Sequence, residues 1–146
     1  MKTEDTRAER AVTPDLVEAF QRDGAVCLRG LLNNAEVARL REGIDANIAA
    51  PSPRAKVASR PDDPGFFIED FCCWADNAAY RDVIFGSPLA AAAARLMRSR
   101  RVRLYHDHML TKEPGTRQKT PWHQDQPYYN IDGLQNVSFW IPVDPV

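Results

Sequence analysis

Residues 102–112, VRLYHDHMLTK, and 121–143, PWHQDQPYYNIDGLQNVSFWIPV, decide the fold, because the hydrophobic period changes where they begin. Val102, Leu104, His106 and His108 alternate with Arg103, Tyr105, Asp107 and Met109, the period of a strand whose successive side chains face opposite sides. Pro114-Gly115 breaks this run. Asp132-Gly133 supplies a turn before Val137, Phe139 and Ile141, which alternate with Ser138 and Trp140.

Upstream the spacing is helical. Thr13-Pro14 reads as an N-cap with proline in the first turn, and Leu16, Val17 and Phe20 make an apolar stripe that should stop near Asp23-Gly24. Ala25–Leu28 is a short apolar run expected to be a strand. Asn33 or Asn34 caps a second helix, in which Val37, Leu40, Ile44 and Ile48 recur through about Ala50. Residues 51–64 are rich in Pro, Arg, Asp and Ser and offer no apolar face, so an exposed loop is expected, open to use as a flap. Its Arg54, Lys56 and Arg60 suit a solvated loop or, as the sharper alternative, an anionic substrate. The aromatic run 66–74 reads as a strand or wall. Helices are expected over 77–85 and from Pro88 to about Ser99, where Arg98, Arg100 and Arg101 suit the helix dipole.

Helices first and antiparallel strands second give an α+β class, in one domain spanning 1–146. Residues 1–12 form a flexible polar tail, 13–100 are mainly helical, and 101–146 supply the strands. At 146 residues, 44% hydrophobic and 27% charged, the chain can bury a core without cross-links. Nineteen basic and 20 acidic residues leave a net charge of -1, which excludes a broad field for nucleic acid or an anionic membrane. Small molecules are the expected partners. Cys27, Cys72 and Cys73 are an odd count that makes no disulfide framework, and no apolar run reaches the roughly 18 residues of a membrane span. The default location is cytoplasmic.

The chemistry-bearing motif is His123-Gln124-Asp125. On a strand, residues at i and i+2 share a face, so an imidazole and a carboxylate can meet one metal ion, and iron(II) accepts that mixture. A histidine merely hydrogen-bonded to a neighbouring carboxylate is the plain alternative. A second metal pattern lies in His106, His108 and Glu113, which imitates the His-x-His and glutamate set of cupin barrels. Arg100 stands where cupins carry a glycine.

The run YHDHMLTKEPGTRQKTPWHQDQPYYNIDGLQNVSFWIPV, with FQRDGAVCLRGLLNNAEVARLREGI upstream, resembles the phytanoyl-CoA dioxygenase family of iron(II)- and 2-oxoglutarate-dependent oxygenases. The resemblance implies N-terminal helices packed on a double-stranded β-helix, or jelly roll, incomplete within this chain and built of mainly antiparallel strands. It implies His123 and Asp125 as iron ligands, and Met109, Trp140, Tyr105 and Ser138 along the 2-oxoglutarate pocket. By their own pattern Met109 and Tyr105 read equally well as plain core. Trp140 and Phe139 alternate, so one faces the barrel interior and the other the helices. Gln126, Tyr128 and Tyr129 follow the motif closely enough to line a substrate pocket; Gln126 and Tyr129 are the principal candidates. The reaction implied is hydroxylation of a small organic substrate by dioxygen. The family's second metal histidine and its arginine for 2-oxoglutarate are expected from strands beyond Val146, or from a partner chain that completes the domain.

Overall fold

The computed structural model describes residues 3–145. Five helices, α1 (Thr3–Ala11), α2 (Pro14–Asp23), α3 (Asn34–Ala49), α4 (Ala78–Gly86) and α5 (Leu89–Leu96), accompany three strands, β1 (Lys56–Val57), β2 (Phe67–Phe71) and β3 (His108–Lys112). The strands form one antiparallel sheet in the order β1-β2-β3. The mixed helix and sheet class is as expected. A jelly roll needs two facing sheets, and three strands in one sheet do not amount to that.

Local chemistry sets the helix ends. Thr13 Oγ1 accepts from the Leu16 amide, and Gly24 closes α2 at φ +79°, a left-handed value that a glycine adopts without a Cβ penalty. Asn33 and Glu36 form a reciprocal capping box at the start of α3, with bonds of 2.9 and 2.8 Å. Asn77 caps α4 and also donates to the Gly43 carbonyl, which ties α4 to α3. Tyr80 lies so close to Gly43 that an added Cβ would sit 2.7 Å from its ring.

Two cores result. Ala8, Val12, Leu31, Ala92 and Leu96 form one, with Val17, Phe20, Val26, Leu28, Val137 and Phe139 packed around it. Ile68, Cys73, Tyr80 and Met109 form the other, against Leu40, Ile44 and Ile48 of α3. Beneath the sheet, Asp70 is fully buried and accepts from Asn47 Nδ2, the Ser52 amide and hydroxyl, and the Phe71 amide. Burial alone would raise its carboxyl, but these four bonds outweigh it and hold Asp70 well below the usual carboxylate range.

Several expectations need correction. Residues 3–11 of the expected polar tail are helical, because Ala8 and the following Val12 meet α5 and Arg7 forms a two-bond ion pair with Glu36 at 3.0 and 2.5 Å. Residues 25–28 form no strand; Val26 and Leu28 satisfy their apolar character against the first core without a ladder partner. The 51–64 loop contributes the two residues of β1. Helix α5 stops at Leu96 rather than near Ser99, and Arg98 turns to φ +51°. β3 begins at His108, six residues later than the alternation promised. Residues 121–125 and 137–141 are not strands. Among the described residues, no helix is long and apolar enough to cross a membrane.

Candidate metal centre

The motif sits on a loop after β3. Residues 121–124 are irregular, and a short 3₁₀ turn spans Gln126–Tyr128, with Pro127 inside it. The face-sharing expected from a strand is therefore absent, yet the loop still brings the two side chains together. His123 Nε2 lies 3.3 Å from Asp125 Oδ1. His123 Nδ1 is 2.8 Å from the Pro121 carbonyl, which can only accept, so Nδ1 carries a proton and Nε2 is the ring nitrogen that faces Asp125 and can offer a lone pair to a metal.

These residues fit a mononuclear metal. Two adjacent ligands at bond lengths of about 2.1 Å on an octahedral ion stand about 3 Å apart, close to the separation found here. A metal-binding histidine usually gives its other ring N–H to a carbonyl or carboxylate, the part Pro121 plays. Among the described residues no group of three or more His, Cys, Asp or Glu side chains is placed to hold a metal ion.

Around this pair lies an aromatic and hydroxyl cluster. Ser138 Oγ donates to Asp125 Oδ2 at 3.3 Å, and the Tyr129 hydroxyl is 3.4 Å from Ser138 Oγ. The rings of Tyr105, His106 and Tyr129 pack mutually at centroid distances of 5.1 to 5.4 Å, and Tyr128 stands edge-on to His123 at 6.1 Å. The Tyr105 hydroxyl accepts from the Asn130 amide. Ser138 and Tyr129 thus join the pair, and Tyr105 joins it through Tyr129.

The other candidates fall elsewhere. Directly opposed residues share a sheet face, so Asp70 and Met109 point toward the helices while Phe71 and His108 point away from them. Met109 is buried in the second core. Gln126 is engaged within its own turn, donating to the Ile131 carbonyl at 2.6 Å and accepting from Asn136. Trp140 is 79% exposed, whereas Phe139 packs on the helical core. Of that alternating pair, Phe139 is the one that faces the helices.

The cupin-like set is not assembled. His108 pairs with Glu69 at 3.3 Å and stacks on Phe71 at 4.1 Å, while Glu113 accepts from the Phe66 amide. Five residues of extended chain separate His108 and Glu113 by about 16 Å, too far for one ion. Burial pushes the His108 imidazole down, the Glu69 carboxylate offsets part of that, and the charges of His106 and Asp125 also reach it. Glu69 and Phe71 were not singled out in the sequence; only the alternation of FIEDF hinted that they share a face.

An imidazole and a carboxylate beside an antiparallel sheet supply the donor types of a non-haem metalloenzyme. Residues 20–146 match the phytanoyl-CoA dioxygenase (PhyH) family, and the chain belongs to that family. No curated protein and no solved structure matches the chain.

Proposed function

We propose that this chain is an iron(II)- and 2-oxoglutarate-dependent oxygenase that hydroxylates a small organic molecule with dioxygen, with His123 and Asp125 as two of its metal ligands. The observation that carries the reading is the 3.3 Å approach of His123 Nε2 to Asp125 Oδ1, with Nδ1 fixed by Pro121. Family membership supports the reaction class. Iron with 2-oxoglutarate, when bound, supplies the oxidising power for an unactivated carbon, while 2-oxoglutarate is converted to succinate and carbon dioxide.

The chain's own residues position and shield. Pro121 keeps the His123 tautomer that leaves Nε2 free, and the Tyr128 ring stands roughly perpendicular to that ring at 6.1 Å. We assign Tyr105, Ser138 and Trp140 to the 2-oxoglutarate side; Met109 acts from behind by anchoring β3 in the core. Tyr129 faces the substrate, and Gln126 fixes the turn that carries it. The helices between residues 13 and 100 are the support, and β1, β2 and β3 with the segments that follow belong to one jelly-roll domain. Three unpaired cysteines favour a cytoplasmic setting. A domain completed by a second polypeptide is the competing reading, favoured by residues 137–143: their exposure alternates as in a strand, yet among the described residues they make no backbone ladder.

Anaerobic addition of iron(II), then 2-oxoglutarate, to the purified chain tests the proposal through the visible charge-transfer absorption of a chelated keto acid. The band is expected in the wild type and lost in Asp125→Ala. Equal iron affinity in wild type and Asp125→Ala would overturn the ligand assignment.

A further inference from the structure

Asp125 has two oxygens, and only one of them faces His123. The torsion that swaps them is broad and roughly two-fold, so a carboxylate on a loop presents either oxygen unless something holds it. Ser138 Oγ donates to Oδ2 at 3.3 Å, and the Tyr129 hydroxyl lies 3.4 Å behind Ser138 Oγ. A serine hydroxyl has one hydrogen and two lone pairs. With its hydrogen on Asp125, Ser138 can accept from Tyr129, and the bonds run from Tyr129 through Ser138 to Asp125.

We propose that Ser138, backed by Tyr129, is the positioning residue that turns Asp125 Oδ1 toward the metal. The inference rests on the reading of His123 and Asp125 as ligands. Two features outside the site set where Ser138 stands. Its neighbours Val137 and Phe139 pack on the core around Val12 and Leu96, so the alternation of this segment leaves Ser138 on the side of Asp125. The Tyr129 ring is wedged against Tyr105 and His106, which fixes its hydroxyl. Each candidate ligand then has one atom tied and the other turned to its partner: His123 through Pro121, Asp125 through Ser138.

Titrating the full chain with manganese(II), followed by the electron paramagnetic resonance of the free aqua ion, tests this without any keto acid present. Ser138→Ala is expected to weaken manganese binding by about 10- to 100-fold, the usual cost of losing a hydrogen-bond partner behind a ligand. Ser138→Thr, which keeps the hydroxyl, restores it. Tyr129→Phe gives a smaller loss, and it decides the matter if Ser138→Ala does not fold. A residue that served only to meet 2-oxoglutarate leaves this titration unchanged, so wild-type affinity in both Ser138→Ala and Tyr129→Phe overturns the inference. If Asp125→Ala still loses binding in that case, the ligand assignment stands alone. If wild type binds no tighter than Asp125→Ala, both fall together.

Discussion

The helical part up to Leu96 and the stretch from Arg101 to Pro145 meet the needs of a backbone in opposite ways. In the first, helices satisfy their own N–H and C=O groups, caps close the ends at Thr13, Asn33 and Asn77, and apolar stripes meet in two cores. In the second, among the described residues β3 is the only strand, residues 137–143 make no ladder, and Trp122, Tyr128, Leu134 and Trp140 stand exposed. Every candidate metal ligand lies in the second. The two parts meet where Met109, Val137 and Phe139 enter those cores, so stability is set mainly in the first part and metal chemistry in the second, with these three residues linking them.

The largest effect is expected at Leu96, one of the largest fully buried side chains, where α5 meets Val12 and Ala8. Leu96→Ala should cost about 2–5 kcal/mol in urea unfolding, from lost transfer energy and the cavity left behind. A cost below about 1 kcal/mol would mean that the first core is not cooperative, and the contrast between the two parts would fail.

Asp70 sharpens the same contrast through pH. Its folded pKa is depressed, so its contribution is present above its unfolded value of about 3.9 and is lost as the pH falls below that. Asp70→Asn should cost about 2–3 kcal/mol near pH 6, since at least one of the four donors around it loses an acceptor. Between about pH 6 and pH 3 the variant should lose less stability than the wild type. Parallel losses in the two proteins would show that other carboxylates dominate acid unfolding.

How far the sequence could be read follows the same division. The helices were legible because a cap, a stripe and a stop lie within a few residues of each other, as in Thr13-Pro14 to Gly24 or Asn33 to Ala49. α1 was not, because its buried Ala8 and Val12 matter only through contact with α5, more than 80 residues on. The strand alternations were real but short of ladders: residues 137–143 alternate in exposure as written, while pairing depends on partners that the pattern cannot name. At the site, the motif identified the side chains and misjudged the backbone that joins them. His123 and Asp125 meet on irregular backbone that leads into the short turn at Gln126–Tyr128, and Ser138 reaches Asp125 across the turn at Asp132-Gly133.

The smallest expected effect tests that alternation residue by residue. Phe139 and Trp140 are neighbours of similar bulk, yet one packs beside Leu96 and Val12 and the other is 79% exposed. Phe139→Ala should cost about 1–2 kcal/mol, the partial-burial share of an aromatic side chain. Trp140→Ala should stay within about 0.5 kcal/mol of wild type, as surface changes away from caps and cores do. The same Trp140 variant should weaken 2-oxoglutarate binding in the charge-transfer titration if the ring lies beside the keto acid. Equal stability losses at the two positions would show that Trp140 is covered in solution, by further polypeptide or by a second copy of the chain. A silent Trp140→Ala in the titration, with Phe139→Ala still destabilising, would remove Trp140 from the pocket and leave the segment's packing as described.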